Sequence, residues 1–215
     1  MTLHAELAAH LQQELGDAAS AQALADVVWQ EILCWRAPTI APERVATVIA
    51  FTFGNRMLAN GNREPGPVNK ALADVAVALH QRTSARVIAQ WEVAAALDQR
   101  VAAAKVTAIN PARDVRGEPV YLGTAAVLEE IARLAAPQSL GCVAVVAFAD
   151  HMYRCVAAAR RLGFDAHAPA GVVMPSVYDP LSGQPWCRER FAYLLHDVMI
   201  RIAERRAEVV GTAWQ

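Results

Sequence analysis

The amino-acid sequence predicts a three-layer α/β fold, Rossmann-like, in which helices cover a doubly wound, mainly parallel sheet of about five strands. Segments with strand character alternate with helical segments, and parallel neighbours need such crossover connections. Two apolar runs, 45–53 and 142–148, are nearly continuous, which is typical of strands covered on both faces. We therefore expect these two runs to be the central strands.

The first 40 residues are expected to form a helical extension of the domain, because so short a segment rarely buries a core alone. Leucines spaced by four residues from Leu3 to Leu15 share one face of a predicted helix, and Gly16 indicates its end. A second helix is predicted from Ser20 to Cys34. The prediction is a single domain over residues 1–215.

Beyond residue 44, strands and helices are predicted in alternation. The predicted strands span 45–53, 86–90, 105–110, 142–148 and 164–168, and the predicted helices span 68–81, 91–104, 124–134, 151–162 and 187–206. The proline-rich segment 169–186 is predicted to be a loop, which either forms a lid or simply ties to the domain.

Composition excludes several classes of protein. A hydrophobic share of 55% excludes intrinsic disorder, and a net charge of -1 provides no basic field for nucleic acid. The longest apolar run, Cys142 to Ala149, is too short to span a membrane, and the N-terminus lacks the pattern of a signal peptide. The four cysteines form no disulfide or metal pattern, so we expect a cytoplasmic protein without membrane insertion.

Polar groups follow four of the predicted strands. They are Gly54-Asn55-Arg56 after the first strand, Trp91-Glu92 after the second, the loop leading to Thr124 after the third, and Asp150-His151 after the fourth. In open parallel sheets, ligands bind outside the carboxyl ends of the strands. The sequence therefore predicts a ligand cleft at this edge.

An anion site is one interpretation of the segment 54–70. Lys70 is expected in the first turn of its helix, where the helix dipole disfavours a cation, and an anion bound by free helix amides, Lys70 and Arg56 would offset this. Asn69 beside Lys70 is also expected to bind ligand. The other interpretation is a solvated loop with an outward lysine. Both stay open on the sequence.

Glu92 and Trp91 also allow two interpretations. In the first interpretation Glu92 lies in an apolar cleft, where its pKa is raised and it can serve as an acid or base. In the second, its negative charge only stabilises the N-terminus of the helix that follows. Trp91 can stack on a flat ring or belong to the core.

The sequence Asp150-His151-Met-Tyr-Arg154 is the sharpest local signal for chemistry. Asp150 is expected to cap the helix, while His151 and Arg154 project from one face as a proton carrier and an anion-binding fork. We expect His151 to protrude into the cleft and to support little packing. The alternatives are a capped helix with a partly exposed histidine, and a buried, hydrogen-bonded histidine whose replacement mainly lowers the melting temperature. His196-Asp197 is expected to be a structural pair.

The segment from Val145 to Arg154, followed by Arg161-Leu-Gly-Phe164, resembles the strand, His-x-x-Arg and glycine-ended helix of the SanA/YdcF-like family of bacterial proteins. The resemblance covers roughly residues 45–206 and includes the Gly54 turn, Asn69-Lys70-Ala71 and Thr124. Ala89-Gln-Trp-Glu92 replaces the family's Ser-Gly-Gly, and an asparagine usual after the threonine is absent. The resemblance implies a divergent, soluble member with S-adenosylmethionine as a candidate ligand.

Three functional hypotheses follow from these residues. The first is an enzyme acting on a small anionic metabolite, phosphate- or nucleotide-like, with His151 and Glu92 as proton-handling groups. The second is a non-catalytic binding protein for a nucleotide-like ligand such as S-adenosylmethionine. The third is a structural protein with a degenerate site. The glycine-rich nucleotide motifs, the Gly-x-Ser-x-Gly nucleophile motif and metal-ligand spacings are absent.

Overall fold

The computed structural model describes residues 2–34, 36–117 and 119–213. The chain forms two compact units, one of residues 1–36 with 198–215 and the other of residues 37–197. Whether the chain is a single domain with an N-terminal extension stays a prediction. Within the described residues, no helix is long and apolar enough to cross a membrane.

The larger unit is built on a six-stranded sheet of β1 (Thr39–Ile40), β2 (Thr47–Ala50), β5 (Arg86–Gln90), β6 (Val106–Ile109), β7 (Cys142–Val146) and β8 (Asp165–Pro169), while β3 and β4 form a separate hairpin described below. The strands lie in the order β1-β8-β7-β2-β5-β6, and every neighbouring pair is parallel. The expectation of about five strands missed β1. Two residues beside a proline are too short to give a periodic pattern.

Helices cover the sheet, and the predicted α/β fold is confirmed. The helices of this unit are α3 (Gly66–Thr83), α4 (Trp91–Ala96), α5 (Thr124–Leu134) and α6 (Met152–Arg161). Helix α3 packs against β2, β5 and β7, while α6 packs against β7 and β8. Strands β2 and β7 pair with each other in the middle of the sheet and are buried, as their apolar runs predict.

Three predicted elements beyond residue 44 differ in the structure. The helix expected over 91–104 ends at Ala96, because Asp98 and Gln99 adopt left-handed backbone angles that break a helix. The segment after the first strand contains a short hairpin of β3 (Arg56–Met57) and β4 (Arg63–Glu64), which its turn-like composition concealed. The last helix, α7 (Arg190–Ala213), starts and ends later than expected.

The N-terminal residues form the two predicted helices. Helix α1 (Leu3–Leu15) is capped by Thr2 and ends at Gly16, whose φ of 67° suits a glycine. Helix α2 (Ala18–Val27) is capped by Asp17 and continues as a π-helix over Val28–Leu33. The expected stop between the helices is therefore confirmed.

Leu72 on α3 tests whether this helix supports the sheet. The side chain is fully buried, so Leu72→Ala should lower the free energy of unfolding by about 2–5 kcal/mol in urea titrations. The matched control Leu181→Ala removes a leucine that is 70% exposed and should change it by less than about 0.5 kcal/mol. Equal effects of the two variants would contradict the packing of α3.

Candidate functional site

A cleft lies at the carboxyl ends of β7, β2 and β5, where the order of strands reverses between β2 and β7. It consists of two adjoining hollows that share Thr52, Gln90, Tyr121, Leu122 and Gln184. The inner hollow is also lined by Gly54, Thr124, His151, Arg154, Cys187 and Tyr193. The middle hollow is also lined by Asn55, Arg63, Trp91 and Glu92.

The chain leaving β2 is held by side chains from two neighbouring elements. Gln90 accepts the Thr52 backbone N–H at 2.8 Å, and Asn69 Oδ1 accepts the Phe53 N–H at 2.9 Å. The amide of Asn69 donates to the carbonyls of Gly54 and Pro65 at 2.7 and 2.6 Å. Asn69, expected to bind ligand, is thus buried and occupied as a positioning residue.

Gly54 brings the chain into contact with the loop before α7. Its φ is 70°, and a Cβ at this position would collide with Ser182 Oγ. The Gly183 N–H donates to the Asn55 carbonyl at 2.6 Å. We call the segment between β8 and α7, residues 170–189, the wall loop. Its Gln184 and Trp186 line the inner hollow, so it forms a wall of the cleft and is tied to the domain.

The cations expected to bind an anion together do not meet in the structure. Arg56 donates two hydrogen bonds to Asp179, at 2.8 and 2.9 Å, and lines neither hollow. This pairing lowers the pKa of Asp179. Lys70 is exposed, since it lies one position beyond buried Asn69 and turns away from the face of α3 that packs on the sheet. Of the three expected cations, the structure brings Arg154 alone to the cleft.

His151 is buried and hydrogen-bonded, contrary to the expectation that it supports little packing. Tyr193 Oη lies 2.6 Å from its Nδ1, and Arg154 Nη2 lies 3.4 Å from the same atom. An arginine can only donate, so Nδ1 is the acceptor and the ring proton resides on Nε2. Nε2 lies 3.4 Å from Thr124 Oγ1 on the wall of the inner hollow.

Tyr193 supports this assignment of the ring proton. Burial, joined by the charge of Asp197, raises the pKa of the Tyr193 phenol well above its ordinary value. The phenol therefore keeps its proton and donates it to Nδ1 of His151. Tyr193 comes from the distant α7, and nothing in the local sequence indicates this contact.

Arg154 is 8% exposed and lies next to a buried carboxylate. Its Nε is 3.6 Å from Asp197 Oδ1 and has no hydrogen-bond partner. Asp197 balances the buried positive charge, which would otherwise be costly. His196 stacks on Trp186 with ring centroids 5.0 Å apart, and the expected pair of His196 with Asp197 stays a prediction.

Asp150 does not cap the helix that follows it. Its carboxylate accepts a hydrogen bond from Tyr178 at 2.8 Å and one from Arg190 at 3.0 Å. The following helical turn has no side-chain cap. Asp150 lines neither hollow and ties the wall loop to the end of β7.

Glu92 is 4% exposed and lies on the wall of the middle hollow. Its Oε1 accepts a hydrogen bond from Asn55 at 3.3 Å, whereas Oε2 has no hydrogen-bond partner. Burial raises the pKa of this carboxyl group, and hydrogen bonds from its own backbone and Asn55 offset part of the effect. A carboxyl group with a free oxygen at a cleft wall is able to donate or accept a proton.

Trp91 lies beside Glu92 and is half-buried on the wall of the same hollow. Its side chain is thus available as a flat surface. Cys187 lines the inner hollow, but burial raises its pKa to about 12, which keeps the thiol protonated and weakly nucleophilic.

Gln90, Tyr193 and Arg63 were not among the site residues predicted from the sequence, whereas the wall loop was predicted to be either a lid or a segment tied to the domain. Among the described residues, no group of three or more His, Cys, Asp or Glu could hold a metal ion. No protein-family model, curated protein or solved structure matches this chain.

Asn69 allows a test of the positioning role. Asn69→Ala leaves the buried Phe53 N–H without its partner, so the free energy of unfolding should fall by about 1–3 kcal/mol. Asn62→Ala, at an exposed position, serves as the control in the same denaturant titrations and should differ from the parent by less than about 0.5 kcal/mol. A neutral Asn69 variant would show that the hydrogen bonds contribute nothing.

Glu92 predicts a pH dependence of stability. The pKa of Glu92 is raised in the folded state. The carboxyl group therefore contributes to the free energy of unfolding below the ordinary pKa of 4.5, and this contribution is lost as the pH rises through the folded-state pKa. Glu92→Gln lacks this loss, so its stability relative to the parent should increase from about pH 4 to about pH 8. Denaturant titrations across this range measure the difference, with exposed Glu129→Gln as the control. A difference independent of pH would contradict the raised pKa.

Proposed function

We propose that this protein is an enzyme that acts on a small anionic metabolite, phosphate- or nucleotide-like, at the carboxyl edge of its parallel sheet. The observation that carries the proposal is the placement of Glu92, His151 and Arg154, all buried, on the walls of two adjoining hollows. Two proton-bearing groups and one cation around a small cleft are the parts that acid–base chemistry on an anion requires.

Arg154 binds the anionic group of the substrate in this proposal. Its guanidinium lines the inner hollow, and its Nε has no hydrogen-bond partner. Asp197 keeps the charge balanced when the cleft is empty. A planar guanidinium binds phosphate or carboxylate by paired hydrogen bonds, so Arg154 orients the substrate as well as attracting it.

His151 and Glu92 exchange protons with the substrate. The Nε2–H of His151, held toward Thr124 by the donors on Nδ1, donates to an oxygen of a substrate in the inner hollow. Glu92 accepts or returns a proton at its unpartnered Oε2, and burial brings its pKa nearer to neutral pH, where a general acid or base works best.

The resemblance of residues 145–164 to the SanA/YdcF-like family stays part of this proposal, with S-adenosylmethionine among the ligands to be tested. A cytoplasmic location is proposed with it, in keeping with four cysteines that are all free thiols. The second candidate function is non-catalytic binding of a nucleotide-like ligand, which the half-buried Trp91 beside the middle hollow favours.

A ligand screen followed by turnover assays tests the proposal. Native mass spectrometry identifies molecules that copurify with the protein, and thermal shifts with phosphorylated metabolites and S-adenosylmethionine extend the screen. Turnover of each ligand that binds is then followed by chromatography and mass spectrometry. Glu92→Gln and His151→Gln should lower turnover by roughly 10²–10⁴-fold and change affinity far less.

Arg154→Gln should weaken binding, whereas Lys70→Gln is the matched control and should leave both binding and turnover unchanged. Binding without turnover by the parent protein would support the binding-protein alternative. Failure of every ligand to bind would indicate a degenerate site.

A further inference from the structure

An open groove of about 850 Å³ continues from the middle hollow toward the β6 edge of the sheet. We call it the outer groove. It lies between the β3–β4 hairpin and the loop after β6, and its lining includes Asn60, Asn62, Arg63, Trp91, Asn110 and Arg113. The outer groove and the middle hollow are continuous, because four residues line both of them: Arg63, Trp91, Pro111 and Pro119.

Two arginines give the outer groove its charge. The guanidinium of Arg63 forms no ion pair or hydrogen bond with any residue that the structure describes. Its positive charge nevertheless acts on Glu92, where it lowers the pKa against the effect of burial. Arg113 donates to the Gly117 carbonyl at 2.6 Å and has no carboxylate partner among the described residues. The described lining contains no acidic side chain to offset these charges.

The strand order sets the length of the whole cleft. His151 follows β7, Trp91 follows β5 and Asn110 follows β6, and β2 lies between β7 and β5. Neighbouring strands are about 4.8 Å apart, so three spacings place the ends of the cleft about 14 Å from each other. Trp91 lies between the two ends and borders both the middle hollow and the outer groove.

We propose that the substrate is an elongated molecule with an anionic group at each end, one bound by Arg154 and the other by Arg63 and Arg113, with a flat body against Trp91. This inference rests on the proposed function for the end at Arg154 and adds the second anionic end. The two arginines of the outer groove select the substrate by its length and charge. They take no part in the proton transfer, which His151 and Glu92 carry out.

A series of α,ω-alkane bisphosphonates of increasing chain length tests the proposal by isothermal titration calorimetry, each paired with its monophosphonate. The bisphosphonates that reach about 14 Å between their charged groups should bind about tenfold or more tightly than the monophosphonates. Shorter bisphosphonates should show no such gain. A gain that is independent of length would overturn the proposal.

Matched variants locate the second anionic end. Arg63→Gln and Arg113→Gln should each remove most of the gain from the second phosphonate. Arg116→Gln removes an exposed arginine of the same loop that does not line the groove, and it should keep the gain. Equal losses in all three variants would indicate general charge attraction and would overturn the assignment.

Sequence places Glu118 between two lining residues, so Glu118→Gln is included and should not weaken bisphosphonate binding.

The failures of the two proposals are distinguishable. A length-dependent gain without turnover of any metabolite supports the two-ended site and contradicts the enzyme. Turnover that depends on Glu92 and His151 but not on Arg63 and Arg113 supports the enzyme and overturns the two-ended site.

Discussion

The burial of β2 between β7 and β5 is the constraint on which the rest of the larger unit depends. All three strands run parallel, so helices must cover both faces and return the chain to the same edge of the sheet each time. After β2 the chain proceeds to β5 and β6, and it then comes back to place β7 on the other side. The loops after β2 and β7 therefore diverge, and the cleft opens between them.

Hydrogen bonding at this edge divides the polar residues into two groups. Backbone amides that leave the sheet need new partners, because a buried unpaired N–H is costly. Gln90 and Asn69 supply them after β2, while Asp150 and Asp179 fasten the wall loop. The polar groups of these side chains therefore form hydrogen bonds that hold the fold. On the cleft walls, Glu92 and Arg154 each keep one buried polar atom without a hydrogen-bond partner.

Charge is arranged from the inside of the cleft outward. Arg154 is balanced by Asp197 at a buried position, whereas burial of Glu92 disfavours its charged form and raises its pKa. Arg63 and Arg113 remain uncompensated by described carboxylates in a more open setting, where solvation makes free charge tolerable. The inner part of the cleft thus holds a charge-balanced arginine, and the outer part carries positive charge without a described carboxylate partner.

Sequence alone determined the α/β class, the central strands and the position of the cleft, because apolar periodicity and strand–helix alternation are local properties of the chain. It also selected Glu92, His151 and Arg154, since each follows a strand end closely. Only the tertiary structure decided that Arg56 pairs with Asp179 and that Tyr193 meets His151. These partners are far apart in sequence, and the direction of a side chain depends on which surfaces the packed helices bury. Lys70 is exposed for the same reason, because the face of α3 that turns toward the sheet was fixed by packing.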